Sequence, residues 1–494
     1  MEIKLLIDRL KIKQVYGHTN REVTHITTDS RQVKKGSIFV ASKGNRVDSH
    51  NFIDDVINKG VEVIVVERFV EVSDDITVIL VNDSLRVASL FAHMLYEYPT
   101  NHLTTVGITG TNGKTTIATM LHHLWQHLGL NSSYIGTNGF MLNANHYETK
   151  NTTPETVTLT EHIHEAVDFG ADVMNFEVSS HGLMIGRLNG VEFDIAIFTN
   201  LTQDHLDFHG SMTDYKYAKE RLFTGLGQDL SKEKYVILNG DDPVSELYRT
   251  SSPYEVITYG LQSHHDIYAD HIKESIEGTT FRLMTPTGQY NVTSPYIGLF
   301  NVSNLIAAMT ACWVKGYTFE HIIKTIDQLE RVSGRLEVLD DSLPIQLVID
   351  FAHTPDGLQK VIESVKPLVQ NKLIVLTGMQ GERDTTKAFD MGRIACLGDV
   401  AIYTPDNPVD DDPDYLTGLL KAGATHDNIY EFSDRSRGVE FAIEISEPGD
   451  TILLTGKGRE PYQIGPGGVK HPYREDEIAL NAAYKKYGVM DREN

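Results

Sequence analysis

Between an apolar run, LTTVGIT, and an amphipathic one, TTIATMLHHLWQHLG, the chain carries GITGTNGKTT at residues 107–116. Glycines at 107, 110 and 113 let backbone N–H groups crowd around an anion, and the start of a helix favours negative charge there. Lys114 would reach terminal phosphates and a threonine hydroxyl would ligate Mg²⁺, so the chemistry indicated is that of bound ATP. The spacing departs from the general G-x-x-x-x-G-K-[ST] pattern, since Ile108 stands where that pattern has its first glycine. A bare G-K-T would fit an ordinary turn, but the flanking strand and helix supply the context a phosphate loop needs.

Further along, VMNFEVSSHG puts Glu177, Ser179, Ser180 and His181 at the carboxyl end of one expected strand. The next strand ends in NLTQDHLDFHG, which adds Asp204, His205, Asp207 and His209 within a turn. A glutamate and a histidine at neighbouring strand ends suit Mg²⁺ already held by phosphates, because hard cations prefer oxygen and accept one imidazole. One such histidine alone is more often structural, and it is the pairing beside a phosphate loop that favours a site. Arg187 has the planar fork that grips a carboxylate bidentately, although such arginines are as often solvated surface cations.

These residues need elements to hold them, and the chain reads as three α/β blocks, with boundaries expected at 1–100, 101–331 and 332–494. The first has strands SIFVA, VEVIVV and ITVILV and a helix SLRVASLFAHMLYEY that stops at Pro99. The second alternates SYIGT, DVMNFEVS, FDIAIFTNL and KYVILN with helical stretches, the grammar of a parallel sheet. Residues 254–295 change to short alternating segments such as TTFRLM and QYNVT that look antiparallel, before helices NVSNLIAAMTACWVKG and FEHIIKTIDQL. The third restarts with QLVIDFA, KLIVLTG, DVAIYTP, NIYEFSD and DTILLTG; open α/β sheets bind ligands beyond the carboxyl ends of such strands.

Lys and Arg number 44 against 68 Asp and Glu, a net charge of −24 that disfavours broad contact with nucleic acid or anionic membrane. Any phosphate site must therefore be locally basic. No apolar run approaches the length that crosses a bilayer, and MEIKLLIDRLKIKQV has charge in every turn, unlike a signal peptide. Cys312 and Cys396 sit in apolar helical patterns, as packing thiols of a reducing compartment do, so the cytoplasm is the expected location.

The segments GTNGKTT, NTTPET, FEVSSHGL, TNLTQDHLDFHG, GLFNVSN, SGRLEVL and DFAHTPDGL occur in this order, and the chain resembles the Mur ligase family of ATP-dependent amide-forming synthetases. TTDSRQVKKGSIFVA and DSHNF resemble the uridine-nucleotide-binding domain of members that extend UDP-N-acetylmuramoyl-L-alanyl-D-glutamate. The resemblance implies a three-domain architecture, with a central ATPase-type parallel sheet and a C-terminal Rossmann-like domain. It also implies a reaction in which ATP phosphorylates the substrate's terminal carboxylate and an amine displaces phosphate from the acyl phosphate.

Residue by residue, the resemblance assigns the ATP phosphates to Lys114 with Gly110, Thr111, Asn112, Gly113, Thr115 and Thr116. Mg²⁺ falls to Thr115, Glu177, His205 and Lys219, the last matching a carbamylated lysine that would otherwise pass for a surface residue. Asn301, Arg335, Asp350 and His353 match nucleotide-side positions. Ser30 matches the uridine side, Asn151, Thr152 and Thr153 the muramoyl-peptide loop, and Ser179 and Arg187 the D-glutamyl contacts.

Selection of the added amino acid falls on DNPV, where Asp406, Asn407, Pro408 and Val409 stand at the family's recognition motif. Members that add meso-diaminopimelate carry arginine at the fourth position, whereas members that add L-lysine typically have alanine. Val409 differs from both but supplies no cation for a distal carboxylate. Asp406 and Glu460 would receive lysine's ammonium groups and Arg383 its α-carboxylate. L-Lysine is the expected substrate, with ornithine or meso-diaminopimelate as alternatives. The oligomeric state is not legible. A folate or polypeptide glutamyl ligase would share the central block, but the uridine-type first block and DNPV argue against it. A GTPase would need an N-K-x-D signature, which is missing, and a nucleotide-gated binding protein would not need Glu177, His205 and Lys219 together.

Overall fold

The computed structural model describes residues 1–43, 47–143, 145–340 and 342–488. Three α/β units follow one another along the chain, each built on its own sheet. In the first, strands lie in the order Gln14–Tyr16, Thr77–Leu80, Val63–Val66, Ser37–Val40 and His25–Thr27, and all but the first are parallel. Val63–Val66 is buried throughout, as befits a strand covered on both faces. Helix Ser84–Leu95 covers it, capped by Asp83, whose carboxylate accepts from the Arg86 N–H.

The central sheet has Thr104–Thr109 in its middle, parallel to Val173–Glu177 on one side and Ile195–Phe198 on the other. Ser132–Gly136 lies beyond the first neighbour, and Tyr235–Asn239 and Glu255–Gly260 continue beyond the second. The sequence pattern predicts an antiparallel segment from residue 254. Instead Glu255–Gly260 runs parallel to its neighbour, and only Ile267–Ser275, Gly278–Thr285 and Gly288–Ser294 form an antiparallel meander. Half-exposed strands alternate whatever their direction, so alternation alone does not fix pairing. The apolar helix Leu299–Val314 packs on Lys114–His127 in the main core. The following stretch, read as one helix, is a short helix Phe319–Ile323 and a 3-10 turn Ile326–Gln328.

The third sheet has the order Glu337–Val338, Gln346–Asp350, Thr451–Thr455, Leu373–Met379, Val400–Pro405 and Ile429–Glu431, parallel after the first pair. Thr451–Thr455 comes last in the chain yet sits in the middle. The loops after Asp350, Met379, Pro405 and Thr455 therefore open on one edge. That edge faces the phosphate loop: Asn112 Nδ2 donates to Thr354 Oγ1 at 3.3 Å and to Asp356 at 3.2 Å. No helix among the described residues is long and apolar enough to cross a membrane.

Candidate functional site

The phosphate loop leaves strand Thr104–Thr109 and enters helix Lys114–His127 through Gly110 and Gly113, with φ of 152° and 90°. A Cβ on Gly110 would lie 1.7 Å from Thr199 Oγ1, and one on Gly113 2.7 Å from Asn304 Oδ1, so neither position accepts a side chain. The loop is anchored from below. Thr111 N–H donates to the Asn200 carbonyl at 2.8 Å, and the Thr111 hydroxyl lies 3.2 Å from that of Tyr215.

Two lysines meet on the same carbonyl: Lys114 Nζ donates to Gly110 O at 3.0 Å and Lys219 Nζ at 2.7 Å. Burial pushes both amines below the ordinary lysine value, Lys219 well below it, with the charge of Lys114 adding to the effect on Lys219 and Asp204 opposing it. Lys219 also lies 4.4 Å from the Tyr215 ring. Arg335 reaches in from the third unit, donating to Thr115 Oγ1 at 3.1 Å while its guanidinium stacks 4.7 Å from Phe351. A strongly acidic chain thus gathers two lysines and an arginine at one loop.

Glu177, only 1% exposed, ends its strand beside them. Its Oε1 accepts from the Tyr134 hydroxyl and from the Thr137 N–H at 3.0 Å. Its Oε2 accepts from the hydroxyls of Thr115 at 2.9 Å and Thr137 at 3.1 Å. Four donors hold this carboxylate fixed in orientation. His205 adopts a left-handed φ of 55° and sits 3.3 Å from Asp204 and 4.9 Å, ring to ring, from His181. Burial pushes His205 down to about 3 and His209 to about 4, and His181 in the same direction, so the group is neutral imidazole at neutral pH.

Among the described residues no group of three or more His, Cys, Asp or Glu side chains forms a ready metal cage. Thr115 and Glu177 are in direct contact, while His205 and Lys219 stand across the loop from them. That distribution suits Mg²⁺, which takes one or two protein oxygens and completes its shell with phosphates and water.

On the other side of Glu177, Thr153 Oγ1 donates to the Glu177 carbonyl and lies 2.9 Å from Ser179 Oγ. Arg187 is tethered by Thr153 O at 3.0 Å and Glu155 at 2.6 Å, and its buried Nε has no partner. Thr152 Oγ1 lies 3.0 Å from Thr137 Oγ1. Asn151 follows Lys150, whose ammonium pairs with Asp29 at 3.4 Å, next in the chain to Ser30. The first unit is thereby joined to the loop at 150–153.

A cleft of about 380 Å³ extends from Gly113 and Thr116 between the central and third units, walled by Arg335, Asp350, Asn304 and Phe300. Asp350 accepts from the N–H groups of Leu336 and Ala352, and burial pushes its carboxyl up. Asn301 does not line this cleft. It turns inward to Ile297 O at 2.8 Å and holds Asn304, which takes the wall position. His353 faces Asp204 at 3.8 Å, as does Lys387 at 3.6 Å.

At the far edge of the third sheet, Asp406 and Asn407 are buried, while Pro408 and Val409 are half-buried. Val409 has a φ of 55°, strained for a β-branched residue, and is held by its N–H to Ile464 O at 3.1 Å. Asp406 and Glu460 converge, but on the chain's own Lys457, which is fully buried. Arg383 lies apart, half-exposed and 3.6 Å from Asp207.

Sequence reasoning missed Asn304, Lys457, Tyr134 and Thr137. Only Lys457 left a trace, in the glycines on either side of it after a strand end.

Fold and site define a phosphate-loop α/β protein whose nucleotide cleft is shared by two sheets. Its residues 108–312 match the Mur ligase middle domain, 334–458 the Mur ligase glutamate ligase domain and 22–90 the Mur ligase family catalytic domain. The UDP-N-acetylmuramoyl-L-alanyl-D-glutamate--L-lysine ligase of Staphylococcus aureus (strain MW2) is 56% identical over 488 residues, 99% of either chain. That of Staphylococcus haemolyticus is 55% identical over the same length. Among solved structures, a UDP-N-acetylmuramoyl-L-alanyl-D-glutamate--2,6-diaminopimelate ligase superposes with TM-score 0.68 at 30% identity, covering 98% of this chain and 99% of its own. A MurF ligase from Thermotoga maritima in complex with ADP gives 0.70 at 19% identity, covering 94% and 98%. The chain belongs to the Mur ligase family.

Proposed function

We propose that this protein is an ATP-dependent ligase that joins L-lysine to UDP-N-acetylmuramoyl-L-alanyl-D-glutamate in peptidoglycan synthesis. The carrying observation is that Glu177 stands between the basic phosphate loop and the Thr153–Ser179–Arg187 group, in a chain 56% identical throughout to lysine-adding ligases. A carboxylate and a terminal phosphate would meet there.

Arg187 would take the D-glutamyl carboxylate, its free Nε and a guanidinium nitrogen matching the two oxygens. The loop N–H groups, Lys114 and Arg335 would bear the charge that spreads over the phosphoryl oxygens in transfer. Asp350 and the cleft beside Asn304 would hold the nucleoside. Magnesium, when bound, would neutralise phosphate oxygens, and Thr115, Glu177, His205 and a carbamylated Lys219 would hold it. The Lys219 amine is suited to that modification, because burial makes it give up its proton more readily, and the free amine can attack carbon dioxide and release a proton. Ser30 and residues 151–153 would position the sugar nucleotide. Val409, with no charge, would leave a second distal carboxylate without a partner and so favour L-lysine. We place the reaction in the cytoplasm, which supplies ATP and keeps the buried Cys312 and Cys396 reduced.

Incubation with ATP, magnesium, the sugar-nucleotide dipeptide and each amino acid, followed by mass spectrometry, tests this. A product heavier by one lysyl residue is expected. A product carrying only diaminopimelate or ornithine would overturn the choice of substrate.

A further inference from the structure

Lys457 lies under the recognition motif with its ammonium fully buried. It donates to Asn407 Oδ1 at 2.9 Å, forms a short contact with Glu460 Oε2 and stands 3.4 Å from Asp406 Oδ1. Asn407 completes the group by donating to Glu460 Oε2 at 3.2 Å and accepting from the Ile464 N–H at 2.9 Å. The rings of Tyr462 and Tyr473 close over the ammonium at 5.7 and 6.0 Å. Behind Asp406, the buried Arg435 pairs with Glu475.

Lys457 faces two carboxylates, Asp406 and Glu460, one more than it can neutralise, an excess that suits a further ammonium. One acceptor is not hydrogen-bonded: Asp406 Oδ1 is buried and has only the 3.4 Å ion pair with Lys457. Without Lys457, the carboxylates of Asp406 and Glu460 would face each other across the gap it fills, with nothing to bridge them.

We propose that Lys457 is a positioning residue for amino-acid selection, a built-in cation that forms the floor of the side-chain pocket. It holds Asp406, Asn407 and Glu460 oriented around one cation, and so sets the arrangement of acceptors that an incoming ammonium meets. The inference rests on the lysine-adding reading above. It assigns a role to a residue that touches no substrate.

The test compares K457M, K457Q and K457R with the wild-type enzyme in phosphate release, measuring KM for L-lysine, ATP and the sugar-nucleotide dipeptide separately. K457Q keeps a donor for Asn407 but not the charge. K457M and K457Q are expected to raise the KM for L-lysine roughly tenfold or more, the weight of one buried hydrogen bond to a charged group. The KM values for ATP and dipeptide should stay within about threefold. K457R, which keeps the charge, should recover most of the loss.

A wild-type lysine KM in K457Q overturns the proposal. So does a loss of kcat and thermal stability without a selective change in the lysine KM. Should K457M fail to fold, K457Q against K457R still decides. A wild-type enzyme that ignores L-lysine would instead defeat the functional reading, before any variant is made.

Discussion

Glu177→Gln is the substitution whose consequences the structure specifies most closely. The glutamine must put its NH₂ where one oxygen now sits. At Oε1 it would face the Thr137 N–H, a donor that cannot turn away. At Oε2 it would face the hydroxyls of Thr115 and Thr137, which can rotate and accept. The amide therefore settles with nitrogen at Oε2, and folding loses only the charge-assisted part of these bonds, about 1–2 kcal/mol. Magnesium would lose much more, since a donor replaces the carboxylate oxygen beside Thr115. We expect the half-saturating magnesium concentration to rise at least ~10-fold and kcat/KM to fall ~10²–10³-fold, equivalent to about 3–4 kcal/mol of transition-state stabilisation. Phosphate release over a magnesium titration, with thermal unfolding in parallel, measures both. Wild-type magnesium dependence would refute the reasoning, and so would a loss of stability large enough to account for the inactivity.

Lys219→Ala should abolish turnover, and a short carboxylic acid should partly restore it by replacing the carbamate; full activity in the alanine variant would remove that role. Val409→Arg should lower the KM for meso-diaminopimelate relative to L-lysine by roughly tenfold or more, the worth of one charged hydrogen-bonded pair, in a competition assay read by mass spectrometry. His122 is pushed down to about 4, chiefly by burial, and its ring lies 3.0 Å from Ser132 Oγ. A folded value below the unfolded 6.5 means that the unfolded chain binds the proton first, so this group removes stability as pH falls from about 6.5 to about 4, in total about 3 kcal/mol. His122→Gln should therefore flatten that part of the stability–pH curve in denaturant titrations, and an unchanged slope would count against it.

Much of the site was legible because its residues lie at strand ends within short ordered segments. Gly110, Lys114 and Glu177 are of this kind, and the structure gathers them at one edge. What was not legible depends on side-chain direction or on distant chain segments. Asn301 and Asn304 are one helical turn apart, and only packing shows that the second faces the cleft. Asp204 meets His353 and Lys387 across a junction between two units, which no local pattern records. The glycines beside Lys457 mark a turn, but only the fold shows that it is buried between two carboxylates. The left-handed backbone of Val409 is set by its bond to Ile464 rather than by valine's own preference. The direction of Glu255–Gly260 was likewise hidden, because alternation reports exposure rather than pairing.

The claim on which the rest depends is that ATP activates a carboxylate held between the phosphate loop and Arg187. Dipeptide substrate labelled with heavy oxygen in its terminal carboxylate tests it directly, through the isotopic content of the released phosphate. Ligation through an acyl phosphate requires one labelled oxygen in each phosphate released, together with an L-lysyl product. Unlabelled phosphate formed alongside that product would contradict it.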